Sequence, residues 1–179
     1  NYTIKGLYIK RNRWDLSCAG LFGYNQGTIK NLTVSDIALE GESGGNIGSV
    51  AGINAGTITN CTNTSDITIH RSYAPFDINA GGIAGESLIG SISNCKNIGD
   101  ITIYAQQNAY AGGIAGYVEM GTVSKCVNTG NLYASVEPSD YTGRISGAGG
   151  IAGRSNTATI SDSYNVGNAV SVNLQTGKS

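Results

Sequence analysis

Five copies of one glycine-rich string limit what this chain can fold into: Gly20-Leu21-Phe22-Gly23, Ser49-Val50-Ala51-Gly52, Gly82-Ile83-Ala84-Gly85, Gly113-Ile114-Ala115-Gly116 and Gly150-Ile151-Ala152-Gly153. Their last glycines fall at 23, 52, 85, 116 and 153, so successive differences are 29, 33, 31 and 37. A period in that range belongs to stacked repeat architectures, where each unit buries its apolar face only against its neighbours.

The stretch after each string repeats as well. An aliphatic residue recurs inside Thr28-Ile29-Lys30-Asn31-Leu32, Thr57-Ile58-Thr59-Asn60-Cys61, Ser91-Ile92-Ser93-Asn94-Cys95, Thr122-Val123-Ser124-Lys125-Cys126 and Thr159-Ile160-Ser161-Asp162-Ser163. A turn follows, as at Asn97-Ile98-Gly99-Asp100, and then a third pair with apolar and polar residues alternating: Ile37 and Leu39, Ile67 and Ile69, Ile101 and Ile103, Leu132 and Ala134, Val170 and Val172. Alternation with period two marks a strand with one buried face, and nothing here carries the 3.6-residue period of an amphipathic helix. The pattern predicts an all-β chain, a β-solenoid with three short strands per coil.

Spacing separates core from loop. The small residues two places before the string, Cys18, Ile47, Ala80, Ala111 and Ala148, start coils of nearly constant length, while the gaps between coils vary. Both prolines, Pro75 and Pro138, lie in the two longest gaps, where no ladder hydrogen bond is lost. The expectation is a single repeat domain over 1–179, with a partial coil at 1–17 and coils starting near 18, 47, 80, 111 and 148. Because Thr3-Ile4-Lys5-Gly6-Leu7 matches Thr28 to Leu32, the chain reads as beginning in mid-repeat, a piece of a longer solenoid whose flanking repeats are its neighbours.

Composition narrows the partners. A net charge of -1 and 13% charged residues give no attraction toward nucleic acid or an anionic membrane, and no apolar run reaches the length of a membrane-inserted helix. Cys61, Cys95 and Cys126 share one repeat position, which reads as an inward column. Stacked positions lie ~4.8 Å apart, but parallel Cβ vectors fit the disulfide torsion poorly, so an unbridged thiol ladder is favoured over a disulfide. Cys18 reads as a buried small residue in the column of Ala80, Ala111 and Ala148. Asn31, Asn60 and Asn94 hold one turn position and Asn63, Asn97, Asn128 and Asn165 another, suited to tight corners and to bonding between coils.

Catalytic chemistry finds little support. The single histidine, His70, reads as an exposed loop residue, and a triad needs a positioned base. No HExxH or CxxC string offers zinc ligands, so neither cofactor nor metal is expected. Asp36, Asp66 and Asp100 stack at one turn, where local hydrogen bonding explains them better than calcium or catalysis. Among the ten tyrosines, Tyr104, Tyr110, Tyr117, Tyr133 and Tyr141 gather in the later repeats. Exposed aromatic rings stack on sugars and anchor protein contacts. Ligand contact, of a host protein or a glycan, is expected on the insertion edge at 70–79 and 135–147, with Tyr73, Phe76 and Tyr141 as contact residues.

Gly20-Leu21-Phe22-Gly23, with Thr3-Ile4-Lys5-Gly6-Leu7-Tyr8-Ile9 before it and Gly27-Thr28-Ile29-Lys30-Asn31-Leu32 after it, resembles the GLUG-motif repeats of bacterial surface proteins. The later Gly-Ile-Ala-Gly copies look like diverged members. The resemblance implies a right-handed parallel β-helix in secreted or wall-attached bacterial proteins, including adhesin-like proteins and the non-catalytic regions of immunoglobulin-A-degrading metallopeptidases. On this reading the chain is a non-enzymatic structural or adhesive segment at the bacterial cell surface. Two alternatives are an accessory module of a surface peptidase whose catalytic domain lies outside the chain, and a polysaccharide lyase or hydrolase.

Overall fold

The computed structural model describes residues 2–11, 18–41, 44–70, 76–137 and 143–174. These residues form strands and turns with no helix, so none is long and apolar enough to cross a membrane. Every strand pairs in parallel with its counterpart in a neighbouring coil, which makes the chain a β-solenoid. Five ladders run along it. Sheet I comprises Gly45–Gly48, Ile78–Gly81, Ala109–Gly112 and Ser146–Gly149, and sheet II comprises Phe22–Asn25, Ala51–Asn54, Ala84–Ser87, Ala115–Val118 and Ala152–Ser155. Sheet III stacks Thr28–Lys30, Thr57–Thr59, Ser91–Ser93, Thr122–Ser124 and Thr159–Ser161. Sheet IV stacks Tyr2–Lys5, Leu32–Ser35, Thr62–Asn63, Lys96–Asn97, Val127–Asn128 and Tyr164–Asn165. Sheet V holds Ile67–His70, Ile101–Ala105, Leu132–Val136 and Ala169–Asn173, and a separate pair joins Tyr8–Arg11 to Ala38–Gly41.

The three stretches expected per coil are present, but corners split two of them, so a full coil carries five short strands. The first corner falls at Gly82-Ile83 and its equivalents. The second falls at Asn31, Asn60, Asn94, Lys125 and Asp162, all left-handed with φ between 49° and 58°. Side chains other than glycine tolerate that conformation poorly, and Asn and Asp tolerate it best.

Two cores result. Sheets II, III and IV enclose Ala51, Ala84 and Ala115 with Ile58, Ile92 and Val123, the row of Cys61, Cys95 and Cys126, and the corner residues Val50, Ile83 and Ile114. Sheets I and V enclose the second, where Ile47, Ala80 and Ala111 meet Ile67, Ile69, Ile101, Ile103, Leu132 and Ala134. Each fully buried Ile or Leu contributes roughly 1.5–3 kcal/mol. Between the cores, sheets I and II press together at the last glycine of the string. A Cβ on Gly85 would stand 2.1 Å from the Ile47 nitrogen, and one on Gly116 2.5 Å from that of Ala80. This contact accounts for the closing glycine of the later four copies, while a Cβ on Gly23 would meet only the Cys18 carbonyl at 3.6 Å.

Two expected registers and one expected burial are corrected. Ala19, not Cys18, pairs with Ile47, because the first corner is one residue shorter, and half-buried Cys18 stands opposite Asn46. In the last coil Ala169 and Ser171 continue the column of Leu132 and Ala134, while Val170 aligns with outward Tyr133 and is exposed. The turn at Asn165–Asn168 sets this register, overriding the apolar letters. Ile160 pairs with Val123 as expected, but it is 41% exposed whereas Ile58, Ile92 and Val123 are fully buried, because no described coil covers it. The four cysteines are free. Cys95, flanked by the thiols of Cys126 and Cys61 and buried, is held above the ordinary thiol range.

Candidate functional site

Of the three residues expected to contact a ligand, Phe76 is described, while Tyr73 and Tyr141 lie outside the described residues. Phe76 is half-buried just before sheet I and packs closely over Gly44 of the preceding coil.

His70 closes a strand of sheet V rather than opening a loop, and it is exposed. Its ring stacks on Tyr104 with centroids 5.0 Å apart and planes 9° from parallel; Tyr104 meets Tyr133 at 5.6 Å and 51°. Tyr104 thus has an aromatic neighbour on either side, stacked against His70 and tilted against Tyr133.

The carboxylates at the sheet V corner are used within the stack. Asp66 Oδ1 accepts the Asp100 amide at 2.8 Å, Asp100 Oδ1 accepts the Asn131 amide at 2.6 Å, and Asn131 Oδ1 accepts that of Asn168 at 3.2 Å. Each side chain caps the next coil, and the described residues offer no group of three or more metal-ligating side chains.

The most varied set of side chains lies in the notch where sheets I and II diverge from their glycine contact. One wall carries Asn46, Asn79, Tyr110 and Gly147 in register, and the other Tyr24, Ile53, Glu86, Tyr117 and Arg154. Asn79 donates to Asn46 Oδ1 at 2.8 Å, and Asn46 donates to Glu86 Oε2 at 2.6 Å. Burial pushes the Glu86 carboxyl above its ordinary range; the Asn46 hydrogen bond opposes this and the charge of Glu119 adds to it. Farther along, the Arg154 guanidinium carbon lies 5.3 Å from the Tyr110 ring centre and 4.9 Å from that of Tyr117. Tyr110 is only 5% exposed, helped by Gly147, where a Cβ would come within 3.2 Å of its ring.

Tyr110 and Tyr117 were legible as aromatic candidates, but their placement in a notch was not. Glu86, Tyr117 and Arg154 each follow the last glycine of a copy, as do Tyr24 and Ile53. Aligning the copies on that glycine isolates this column as one whose chemistry changes at every coil.

The stacked parallel coils and their buried ladders define a β-solenoid repeat protein. Within that class the chain carries the GLUG motif: its family model matches residues 77–102, one turn from just before Ile78 in sheet I to the first residues of Ile101–Ala105 in sheet V. No curated protein and no solved structure gives a significant match to the chain.

Proposed function

We propose that the chain is a non-enzymatic segment of a bacterial cell-surface protein, a rigid spacer that presents adhesive contacts along its flanks. The observation that carries this reading is the direction in which its polar side chains are used. Asn63 donates to Asn97 Oδ1 at 2.8 Å, Asn97 to Asn128 at 2.7 Å and Asn128 to Asn165 at 2.6 Å, an unbroken amide chain along the axis. Asn25 continues the theme by donating to Asn54 at 2.8 Å, and the Asp66 to Asn168 series does so at the outer corner. Groups spent on axial bonds stiffen a rod, and a stiff rod suits holding a binding surface away from a cell wall. The resemblance to GLUG-motif surface proteins supports the extracellular setting.

The test is a screen of the purified chain against host proteins and glycans, beside hydrolysis assays on peptides and polysaccharides. Binding without turnover is expected, and it should fall when residues 71–75 and 138–142 are both replaced by Gly-Ser turns. Turnover of any polymer by the purified chain would overturn the reading.

A further inference from the structure

We propose that the column of Cys61, Cys95 and Cys126 is a site for a soft, linearly coordinated cation, Cu(I), with one ion in each of the two gaps between the thiols. The inference goes beyond the adhesive reading and does not depend on it. The three cysteines are free and buried in consecutive coils, with Leu32 before the column and Ser163 after it, so the site lies inside the stack. Ladder bonds from the Lys96 amide to the Cys61 carbonyl and from the Val127 amide to that of Cys95, both 2.9 Å, fix the stacking. The side chains are held alike as well. Each thiol donates to the carbonyl two residues earlier, Cys61 to Thr59 at 3.4 Å, Cys95 to Ser93 at 3.2 Å and Cys126 to Ser124 at 3.2 Å. Sulfurs held in one orientation inherit the spacing of the ladder, ~4.8 Å.

That spacing suits an ion between two sulfurs better than a disulfide. A disulfide has to draw the sulfurs to about 2.05 Å and turn parallel Cβ bonds through roughly a right angle. A thiolate–metal bond of ~2.3 Å gives a linear sulfur–metal–sulfur span of ~4.6 Å and asks for no such turn. Thiols in a row do not converge on one point, so tetrahedral Zn(II) finds no shell here, whereas Cu(I) is drawn to soft sulfur and a linear ion needs only two ligands at a time. Charge balances too. Each Cu(I) that enters displaces one thiol proton, so two ions and one remaining proton leave the column neutral and strand no charge in the core. The Cys95 thiol holds Cys61 and Cys126 below the ordinary thiol range, against the burial that raises them, while Cys95 itself is held above it. The outer two are thus the ones readier to give up a proton. The way in is short, since each cysteine directly follows an exposed corner residue, Asn60, Asn94 or Lys125.

The experiment titrates the folded chain with Cu(I) in the absence of oxygen and counts bound ions by native mass spectrometry, following released protons and the melting temperature alongside. Two ions per chain are expected, with one proton released for each and a higher melting temperature, since an ion that binds the folded state stabilises it. Cys61→Ser and Cys126→Ser should each hold one ion, in the gap that remains. Cys95→Ser should hold none, because Cys61 and Cys126 stand two ladder steps apart, ~9.6 Å, too far for one ion to bridge. Cys18→Ser should still hold two. If Cys95→Ser does not fold, the two outer variants decide. The proposal is overturned if the folded natural chain takes up fewer than two ions, if Cu(I) lowers the melting temperature by binding the unfolded thiols instead, if either outer variant keeps both ions, if a folded Cys95→Ser still binds, or if Zn(II) raises the melting temperature as much as Cu(I) does.

Discussion

Two asparagine columns run along this solenoid, and they obey different rules. At 63, 97, 128 and 165 four successive coils have asparagine, with Val34 at that register in the coil before them, whereas at 31, 60, 94, 125 and 162 asparagine gives way to Lys125 and Asp162. The first column is buried in its inner coils, and there each amide works at both ends. Asn97 donates to Asn128 Oδ1 and to the Gly99 carbonyl at 2.8 Å while its own Oδ1 accepts from Asn63. The Asn63 and Asn128 oxygens also accept the amides of Ser65 and Gly130, at 3.0 Å and 3.3 Å. The second column is at the surface and has to supply a backbone conformation, with φ of 53° at Lys125 and 49° at Asp162. Where the longer turn needs that atom set only asparagine is found, and Val34 stands where the turn is one residue shorter. A position that needs a dihedral admits several, each at its own modest cost.

The sharpest way to break this contrast is to remove one amide from each column. Asn97→Ala strands a donor of Asn63 and an acceptor of Asn128 in the interior, and with buried unpaired groups costing about 1–3 kcal/mol each, a loss of roughly 2–5 kcal/mol is expected. Asn94→Ala should cost only about 1 kcal/mol, the strain of a left-handed alanine. Equal losses in urea unfolding would mean that the two columns do the same work.

A second comparison sets coil interior against coil end. Ile92 and Ile160 hold equivalent register positions in sheet III, yet one is fully buried and the other 41% exposed. Ile92→Ala should destabilise by about 2–5 kcal/mol through lost contacts and a cavity. Ile160→Ala should cost no more than about 1.5 kcal/mol, since much of its surface already meets solvent. A large loss at Ile160 would show that another surface covers it in solution.

These contrasts also explain how far the sequence could be read. Repeat length, the all-β class, the inward columns of Ile58 and Cys61 and the left-handed asparagines were legible, because each reports a constraint that recurs in every coil. Cys18 and Val170 were misplaced because letter matching aligned them with apolar columns, while turn length governs the actual register. The notch was missed for the opposite reason. Glu86, Tyr117 and Arg154 share a column but no chemistry, and a search for recurrence passes over a column whose content differs at each turn. The contact of Gly85 and Gly116 with the neighbouring sheet was hidden too, since a glycine required by close packing looks the same in sequence as one required by a turn.

A smaller gain should come from repairing the corner column. Lys125→Asn keeps the left-handed φ while replacing a side chain that resists it, so stabilisation of about 0.5–1 kcal/mol is expected in thermal or urea unfolding. Destabilisation would show that the Lys125 side chain makes a contact worth more than its backbone strain.

The finest test asks whether the notch tolerates charge where the buried asparagine column cannot. Glu86 is half-buried, and its carboxyl is raised from the ordinary 4.5 chiefly by that burial, against the Asn46 hydrogen bond and with the charge of Glu119 adding to the rise. The unfolded chain therefore releases this proton at lower pH than the folded chain does. Between the two pKa values the folded state binds more protons, so stability contributed by Glu86 is present below pH 4.5 and declines as pH rises through the folded value. Glu86→Gln removes the titration and keeps an oxygen that accepts from Asn46. Relative to the natural chain it should gain stability as pH goes from 4 to 7, by less than about 1 kcal/mol because solvent reaches much of the group. Glu119→Gln should shrink that gain by removing the like charge. If Glu86→Gln instead loses ground toward neutral pH, the Asn46 bond to the ionised carboxylate outweighs burial, and the notch is built to hold a charge rather than merely to tolerate one.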